Sequence, residues 1–140
     1  GKIIITAGTQ DFIASSGAQL DYYQSLINKM GQKKLDKFAR LYVVPQGGHG
    51  LSGRSYKMNG DGDTVDVKNI PAPNSSDKMD MIISWVEEGK APAKTLVISS
   101  EGRIGVKMEG KGYLLCSYPN YPKYTGGQAD QVTSYVSSSK

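Results

Sequence analysis

The sequence predicts an α/β fold in which parallel strands with flanking helices form an incomplete sheet. Two apolar strand patterns, at residues 2–5 and 38–44, enclose a segment with helical periodicity. Strands and helices that alternate in this order build parallel sheets. We expect residues 1–140 to belong to a single domain, because this length suits one domain or a part of one.

The first predicted unit is a strand followed by a helix. Residues 3–5 are three consecutive isoleucines, which is typical of a strand buried on both faces. Ser16 and Gln19 fit a capping box that starts the helix, and Gly31 is well placed to end it. The apolar residues of this helix recur at helical spacing: Leu20, Tyr23, Ile27 and Met30.

The second strand ends at Pro45, and a polar, glycine-rich composition follows it. We expect a long surface loop over about residues 50–76. The run Asn-Gly-Asp-Gly-Asp at 59–63 has the spacing of the start of a calcium loop. Its sixth and twelfth positions are Thr64 and Ile70 instead of Gly and Glu, so a solvated loop is the better interpretation.

A second helix is predicted to begin near residues 76–77 and to end at Gly89. Its apolar stripe, which we expect to face the core, is made of four residues: Met79, Ile82, Ile83 and Val86. Trp85 lies off the centre of this stripe and fits a core or rim position. Residues 95–99 predict a further strand, and the composition of residues 110–140, rich in Tyr, Pro and Gly, predicts an irregular tail.

The net charge of +4 does not indicate a nucleic-acid-binding protein. Lysines are interleaved with acidic residues, for example at 33–37 and 87–90, whereas a nucleic-acid surface concentrates its basic residues on one face. No apolar run approaches the roughly 20 residues that span a bilayer. We therefore expect neither a nucleic-acid nor a membrane partner. Cys116, the only cysteine, is either a buried small side chain or pairs outside this chain.

Two candidate catalytic residues follow the first two predicted strands. Asp11 comes just past the first strand and His49 just past the second. Because the carboxyl ends of parallel strands meet at one edge of the sheet, where ligands bind, we expect the two side chains to lie close together. An Asp that accepts the Nδ1–H of a His is the base half of a serine-hydrolase triad. The order of acid before base, with the serine earlier, is the order found in α/β hydrolases.

Structural roles are the alternative for both residues. His49, the only histidine, lies among the glycines of residues 46–50, where a surface loop position is the simpler interpretation from composition. Asp11 taken alone fits a turn-capping residue equally well. No Gly-x-Ser-x-Gly motif occurs in the sequence, so we expect the nucleophile and its oxyanion hole to lie outside this chain. The chain alone is then expected to be inactive.

Several segments resemble, in order, the C-terminal region of the tannase and feruloyl esterase family. They are Gly-Thr-Gln-Asp at 8–11, Arg-Leu-Tyr-Val-Val-Pro-Gln-Gly-Gly-His at 40–49, Ile-Ser-Trp-Val-Glu-Glu-Gly-Lys-Ala-Pro at 83–92, and Leu-Cys-Ser-Tyr-Pro at 115–119. The resemblance implies the C-terminal portion of an α/β-hydrolase domain. It also implies a secreted or periplasmic serine esterase for esters of aromatic acids, such as galloyl or feruloyl esters. Asp11 and His49 fall on the family's acid and base, and neither a cofactor nor a metal is implied.

Partners and alternative functions follow from the same resemblance. If residues 3–5 form the edge of an incomplete sheet, we expect that edge to bind the missing N-terminal half of the domain or to self-associate. The family usually has a cysteine directly after the histidine, and this chain has Gly50. That difference favours one alternative, a noncatalytic hydrolase-like binding domain. The other alternative is an α/β hydrolase of another family, such as a peptidase or a carbohydrate esterase.

Overall fold

The computed structural model describes residues 1–105 and 110–139, and side chains are described except at 55–57, 67 and 68. The helices are α1 (Ser16–Met30), α2 (Gln32–Leu35) and α3 (Ser75–Glu87), with a 3-10 turn at Val132–Ser134. The strands are β1 (Ile3–Gly8), β2 (Ala39–Val44), β3 (Gly53–Met58), β4 (Thr64–Ile70), β5 (Thr95–Ser99), β6 (Ile104–Gly105), β7 (Gly112–Ser117), β8 (Tyr121–Tyr124) and β9 (Tyr135–Ser138).

The main sheet has five strands in the order β1-β2-β7-β5-β6. The predicted strand-helix-strand unit is confirmed, because β1 and β2 pair in parallel from Ile3 opposite Ala39 to Gly8 opposite Val44. The other neighbours pair antiparallel, so the sheet is mixed and β1 forms one of its edges. The carboxyl ends of β1 and β2 therefore lie side by side, which brings together the segments that follow them.

Helix α1 covers one face of the β1–β2 pair. Its Tyr23 is buried in a cluster with Leu35 of α2 and Leu41 of β2. The helix is capped by Ser15, whose side chain accepts from the Ala18 N–H, and not by Ser16 as predicted. Ser16 instead donates its hydroxyl to the Gly8 carbonyl oxygen at 2.5 Å, which joins the start of α1 to the end of β1.

Helix α3 begins at Ser75 with Asn74 as its cap, one residue before the predicted start. Its predicted core stripe is wrong: three of the four residues are exposed, namely Met79 at 58%, Ile83 at 43% and Val86 at 61%. Trp85 is buried instead, with Lys2 Nζ 5.2 Å and Arg40 Cζ 5.6 Å from its ring centroid.

The first turn of α3 is tied to the β5–β6 hairpin. Asp77 accepts hydrogen bonds from the Arg103 guanidinium and from the Ile104 backbone N–H. The predicted apolar stripe lies on other faces of the helix, where Met79 and Ile82 border a pocket beside β1. Within the described part of the chain, no helix has the length and apolar character needed to cross a membrane.

The segment predicted as a loop over 50–76 contains a β-hairpin. Strands β3 and β4 pair antiparallel in a separate two-stranded sheet, with Gly53 opposite Ile70 at its base. The turn between them holds the residues considered above for calcium, where Asn59 Oδ1 accepts the N–H groups of Asp61 and Asp63. The expected long surface loop therefore contains regular strands, which the sequence did not reveal because the strand residues are mostly polar.

The segment predicted as an irregular tail also contains regular structure, up to the end of β9 at Ser138; Lys140 lies outside the described residues. Strand β7 occupies the middle of the main sheet, between β2 and β5, and Cys116 on this strand is 1% exposed. Burial raises the pKa of its thiol, as expected for the buried small side chain considered above. Strands β8 and β9 form a second hairpin packed beside β7.

Candidate active site

The loop after β1 presents the carboxylate of Asp11. Two backbone N–H groups of this loop donate to Asp11 Oδ1, from Ile13 at 3.0 Å and from Ala14 at 2.9 Å. The Ala14 N–H holds the pKa of the Asp11 carboxyl below its ordinary value; hydrogen bonding to His49 acts in the same direction, and partial burial acts against both. Asp11 is therefore fixed in orientation and kept ionised.

The loop after β2 carries His49 and is tied to the Asp11 loop along its length. The Gln10 N–H donates to the Gly47 oxygen at 2.9 Å, and the Gln46 N–H donates to Thr9 Oγ1 at 2.7 Å. The His49 loop also closes on itself through Gly48, whose N–H donates to the Ser52 oxygen at 2.8 Å. These bonds hold the two loops as one unit at the carboxyl edge of the sheet.

The backbone of the His49 loop approaches the end of β1 closely at Gly8. A Cβ atom on Gly8 would lie 2.6 Å from the Gly47 carbonyl carbon and 2.8 Å from the Gly48 oxygen. Only a residue without a side chain fits there, so Gly8 sets how near the His49 loop comes to the end of β1. No role was predicted for Gly8 or Thr9 from the sequence, although both belong to the Gly-Thr-Gln-Asp segment at 8–11.

The structure brings Asp11 and His49 together as expected from their places after neighbouring strands. His49 Nδ1 lies 3.1 Å from Asp11 Oδ2 and 3.3 Å from Oδ1. The Asp11 side chain is 7% exposed, whereas the His49 side chain is 56% exposed. A carboxylate that accepts the Nδ1–H leaves Nε2 with its lone pair available as a proton acceptor. Their catalytic role stays a prediction.

The serines that lie nearest in sequence to Asp11 are engaged structurally. Ser15 caps α1 and Ser16 donates to the Gly8 oxygen, so neither is presented as a nucleophile. In residues 1–105 and 110–139, no group of three or more His, Cys, Asp or Glu side chains is placed to hold a metal ion. The two loops thus present one carboxylate and one imidazole in hydrogen-bond contact.

The comparisons with known proteins identify the family of this chain. The model of the tannase and feruloyl esterase family matches residues 1–138. The chain belongs to this family. Feruloyl esterase B of Aspergillus niger is 30% identical over 133 residues, and the mono(2-hydroxyethyl) terephthalate hydrolase of Piscinibacter sakaiensis is 29% identical over 127 residues. Each alignment covers 90% of this chain but only 23% and 18% of the respective relative.

Solved structures of the family share the fold. The crystal structure of feruloyl esterase B from Aspergillus oryzae matches 99% of this chain with a TM-score of 0.68 and 24% identity. The tannin acyl hydrolase from Aspergillus niger matches 100% of it with a TM-score of 0.65 and 25% identity. The matched regions are 27% and 23% of those chains, so the residues described above correspond to a partial α/β-hydrolase fold.

Proposed function

We propose that this chain supplies the acid, Asp11, and the base, His49, of a serine-type carboxylic ester hydrolase. The observation that carries the proposal is the 3.1 Å contact between His49 Nδ1 and Asp11 Oδ2 at the carboxyl ends of two parallel strands. Membership of a family of ester hydrolases supports it. The nucleophilic serine and the oxyanion hole belong, in this proposal, to a part of the protein outside these residues.

The proposed mechanism follows from the two ring nitrogens of His49. Neutral Nε2 takes the proton of the serine hydroxyl as its oxygen attacks the ester carbonyl, and the imidazolium then returns that proton to the leaving alcohol. A water molecule repeats the cycle to release the acid from the acyl-enzyme. Asp11 keeps the Nδ1–H bond throughout, which fixes the tautomer and stabilises the positive charge on the ring.

Esters of aromatic acids, of the galloyl or feruloyl type, are the proposed substrates. The support comes from the names of the similar proteins, feruloyl esterases and a tannin acyl hydrolase. A secreted or periplasmic location is part of the same proposal, by resemblance to the family. Neither the acyl group nor the alcohol is specified by the pair itself, because Asp11 and His49 act on any ester.

The upstream half of the hydrolase domain is the proposed partner of the open edge of the sheet. Ile3 on β1 is 48% exposed, and the exposed apolar residues of α3 lie on a helix that contacts the same strand. This chain spans about a quarter of the feruloyl esterase it matches, so most of such a domain lies elsewhere. Solution scattering of the chain alone should show self-association; a monodisperse monomer would count against this proposal.

A phosphonate titration tests the serine esterase proposal. The complete protein should hydrolyse a 4-nitrophenyl ester of a small aromatic acid, and one equivalent of a fluorophosphonate should abolish that activity. Saturable binding of the ester without turnover would favour the noncatalytic alternative, for which Gly50 is the specific observation. Turnover that resists the phosphonate would exclude a serine nucleophile and with it the role given to His49.

A further inference from the structure

A pocket of about 530 Å³ lies at the base of the β3–β4 hairpin. Its walls include residues from three segments: the loop after β1, the loop after β2, and the two hairpin strands. The residues that matter here are Gln10, Ser52, Arg54, Asn69, Ile70 and Pro71. Neither Asp11 nor His49 lines the pocket, but it borders the loops that carry them.

Covalent and hydrogen-bond connections place the pocket beside the Asp11–His49 pair. Gln10 directly precedes Asp11, and its N–H donates to the oxygen of Gly47 in the His49 loop at 2.9 Å. Ser52 follows His49 by three residues, and its carbonyl oxygen accepts from the Gly48 N–H at 2.8 Å. One wall of the pocket is therefore built from the same backbone that positions the pair. A group bound in the pocket would contact the two loops that carry Asp11 and His49.

The charge of the pocket comes from Arg54. The chain has three arginines, and two are engaged by carboxylates: Arg40 with Asp36 at 2.7 Å and Arg103 with Asp77 at 2.8 Å. Arg54 is exposed, and no described residue forms a hydrogen bond or ion pair with its guanidinium group. A planar guanidinium presents several N–H donors in a geometry that matches a carboxylate.

The other residues that line the pocket suit an anion attached to a hydrocarbon group. Asn69 lies opposite Arg54 in the β3–β4 register, and together with Gln10 it adds amide N–H donors; none of the pocket residues is acidic. Ile70 and Pro71 provide apolar surface, and Ile70 is fully packed beneath the pocket. Donors without a competing carboxylate, next to apolar surface, are complementary to a carboxylate attached to a hydrocarbon group.

We propose that this pocket is a substrate subsite in which Arg54 binds a carboxylate carried by the ester. The inference rests on the proposed function, because it assigns the preferred substrates of that same site: esters with a free carboxylate on the part that reaches the β3–β4 hairpin. Arg54 does not touch the reacting atoms. It therefore selects among substrates and leaves the rate with a neutral ester unchanged.

A pair of matched substrates tests the subsite in the complete protein. One is a monoester of an aromatic dicarboxylic acid, and the other is the same ester with its free carboxylate capped as a methyl ester. Arg54→Gln should lower kcat/KM for the anionic ester about tenfold or more, with no change for the capped ester. Arg54→Lys should retain part of the preference, and Lys33→Gln, at an exposed position on α2, should retain all of it.

Failure of the subsite proposal and failure of the esterase proposal give different results. If the protein hydrolyses both esters and Arg54→Gln leaves their kcat/KM ratio unchanged, the subsite is refuted and the esterase proposal stands. If neither ester is hydrolysed, the esterase proposal fails, and benzoate binding to this chain decides the subsite. Benzoate, but not benzamide, should then shift the Arg54 Nε–Hε resonance saturably in NMR spectra. Absence of that shift would refute the subsite as well.

Discussion

Replacing Gly8 with Ala should separate Asp11 from His49 without altering either residue. The added Cβ would lie 2.6 Å from the Gly47 carbonyl carbon, whereas ordinary contacts begin at about 3.4 Å. Both sides of this contact are backbone, so the His49 loop has to move away by roughly 0.8 Å or more. That movement would lengthen the Nδ1 to Oδ2 distance from 3.1 Å toward 4 Å, beyond the range of a hydrogen bond.

Gly8→Ala should lower turnover much more than it lowers stability. Misplacement of a catalytic group by about 1 Å lowers turnover on the order of a hundredfold, while overpacking of this kind costs about 1–3 kcal/mol of stability. Turnover of the complete protein and its urea unfolding curve should be measured together. His49 is the only histidine of this chain, so NMR spectra of the chain should show one Nδ1 proton signal, which reports directly on the bond to Asp11.

Gly50→Ala is the matched control in the same loop. A Cβ at Gly50 meets only Ser52 Oγ, at 4.0 Å, and its φ angle is outside the left-handed region. This variant should keep wild-type turnover and stability. If Gly8→Ala folds, keeps the His49 Nδ1 proton signal and turns over at the wild-type rate, then the close approach of the two loops does not position the pair.

Two further predictions concern α3. Trp85→Ala should lower the free energy of unfolding by about 3–5 kcal/mol in urea titrations, whereas Met79→Ala, at an exposed position on the same helix, should change it little. Hydrogen bonding to the Arg103 guanidinium lowers the pKa of Asp77 in the folded protein. The ionised carboxyl therefore stabilises the fold fully above the unfolded-state pKa of about 3.9. That contribution is lost as the pH falls through the lower folded-state pKa. Asp77→Asn should therefore flatten the loss of stability below about pH 4, and Asp21→Asn, at an exposed position, should not.

The elements that the sequence predicted well are those with strong local patterns. The isoleucine run of β1, the helical spacing in α1 and the apolar strand before Pro45 define a strand-helix-strand unit. The parallel pairing of that unit then places Asp11 near His49 without any knowledge of side-chain contacts. The pair could be predicted because topology alone brings the two loops to one edge.

The features that were missed depend on contacts distant in sequence. Helical periodicity shows that α3 is amphipathic, but the buried Trp85 lies outside its apolar stripe, against Lys2 and Arg40 from distant parts of the chain. Strand β7 was hidden by the composition around it, although Leu114 and Leu115 are buried between β2 and β5. The close contact of Gly8 with the His49 loop, and the pocket lined by Arg54, likewise arise from segments that meet only in the folded chain.

Substitution of His49 by Ala in the complete protein decides whether this residue is the general base. Asp61, in the turn of the β3–β4 hairpin, provides an exposed control position. His49→Ala should lower kcat for an aromatic ester on the order of a thousandfold or more, and Asp61→Ala should leave it unchanged. Wild-type turnover in the His49→Ala protein would contradict the account and leave this histidine as a surface loop residue.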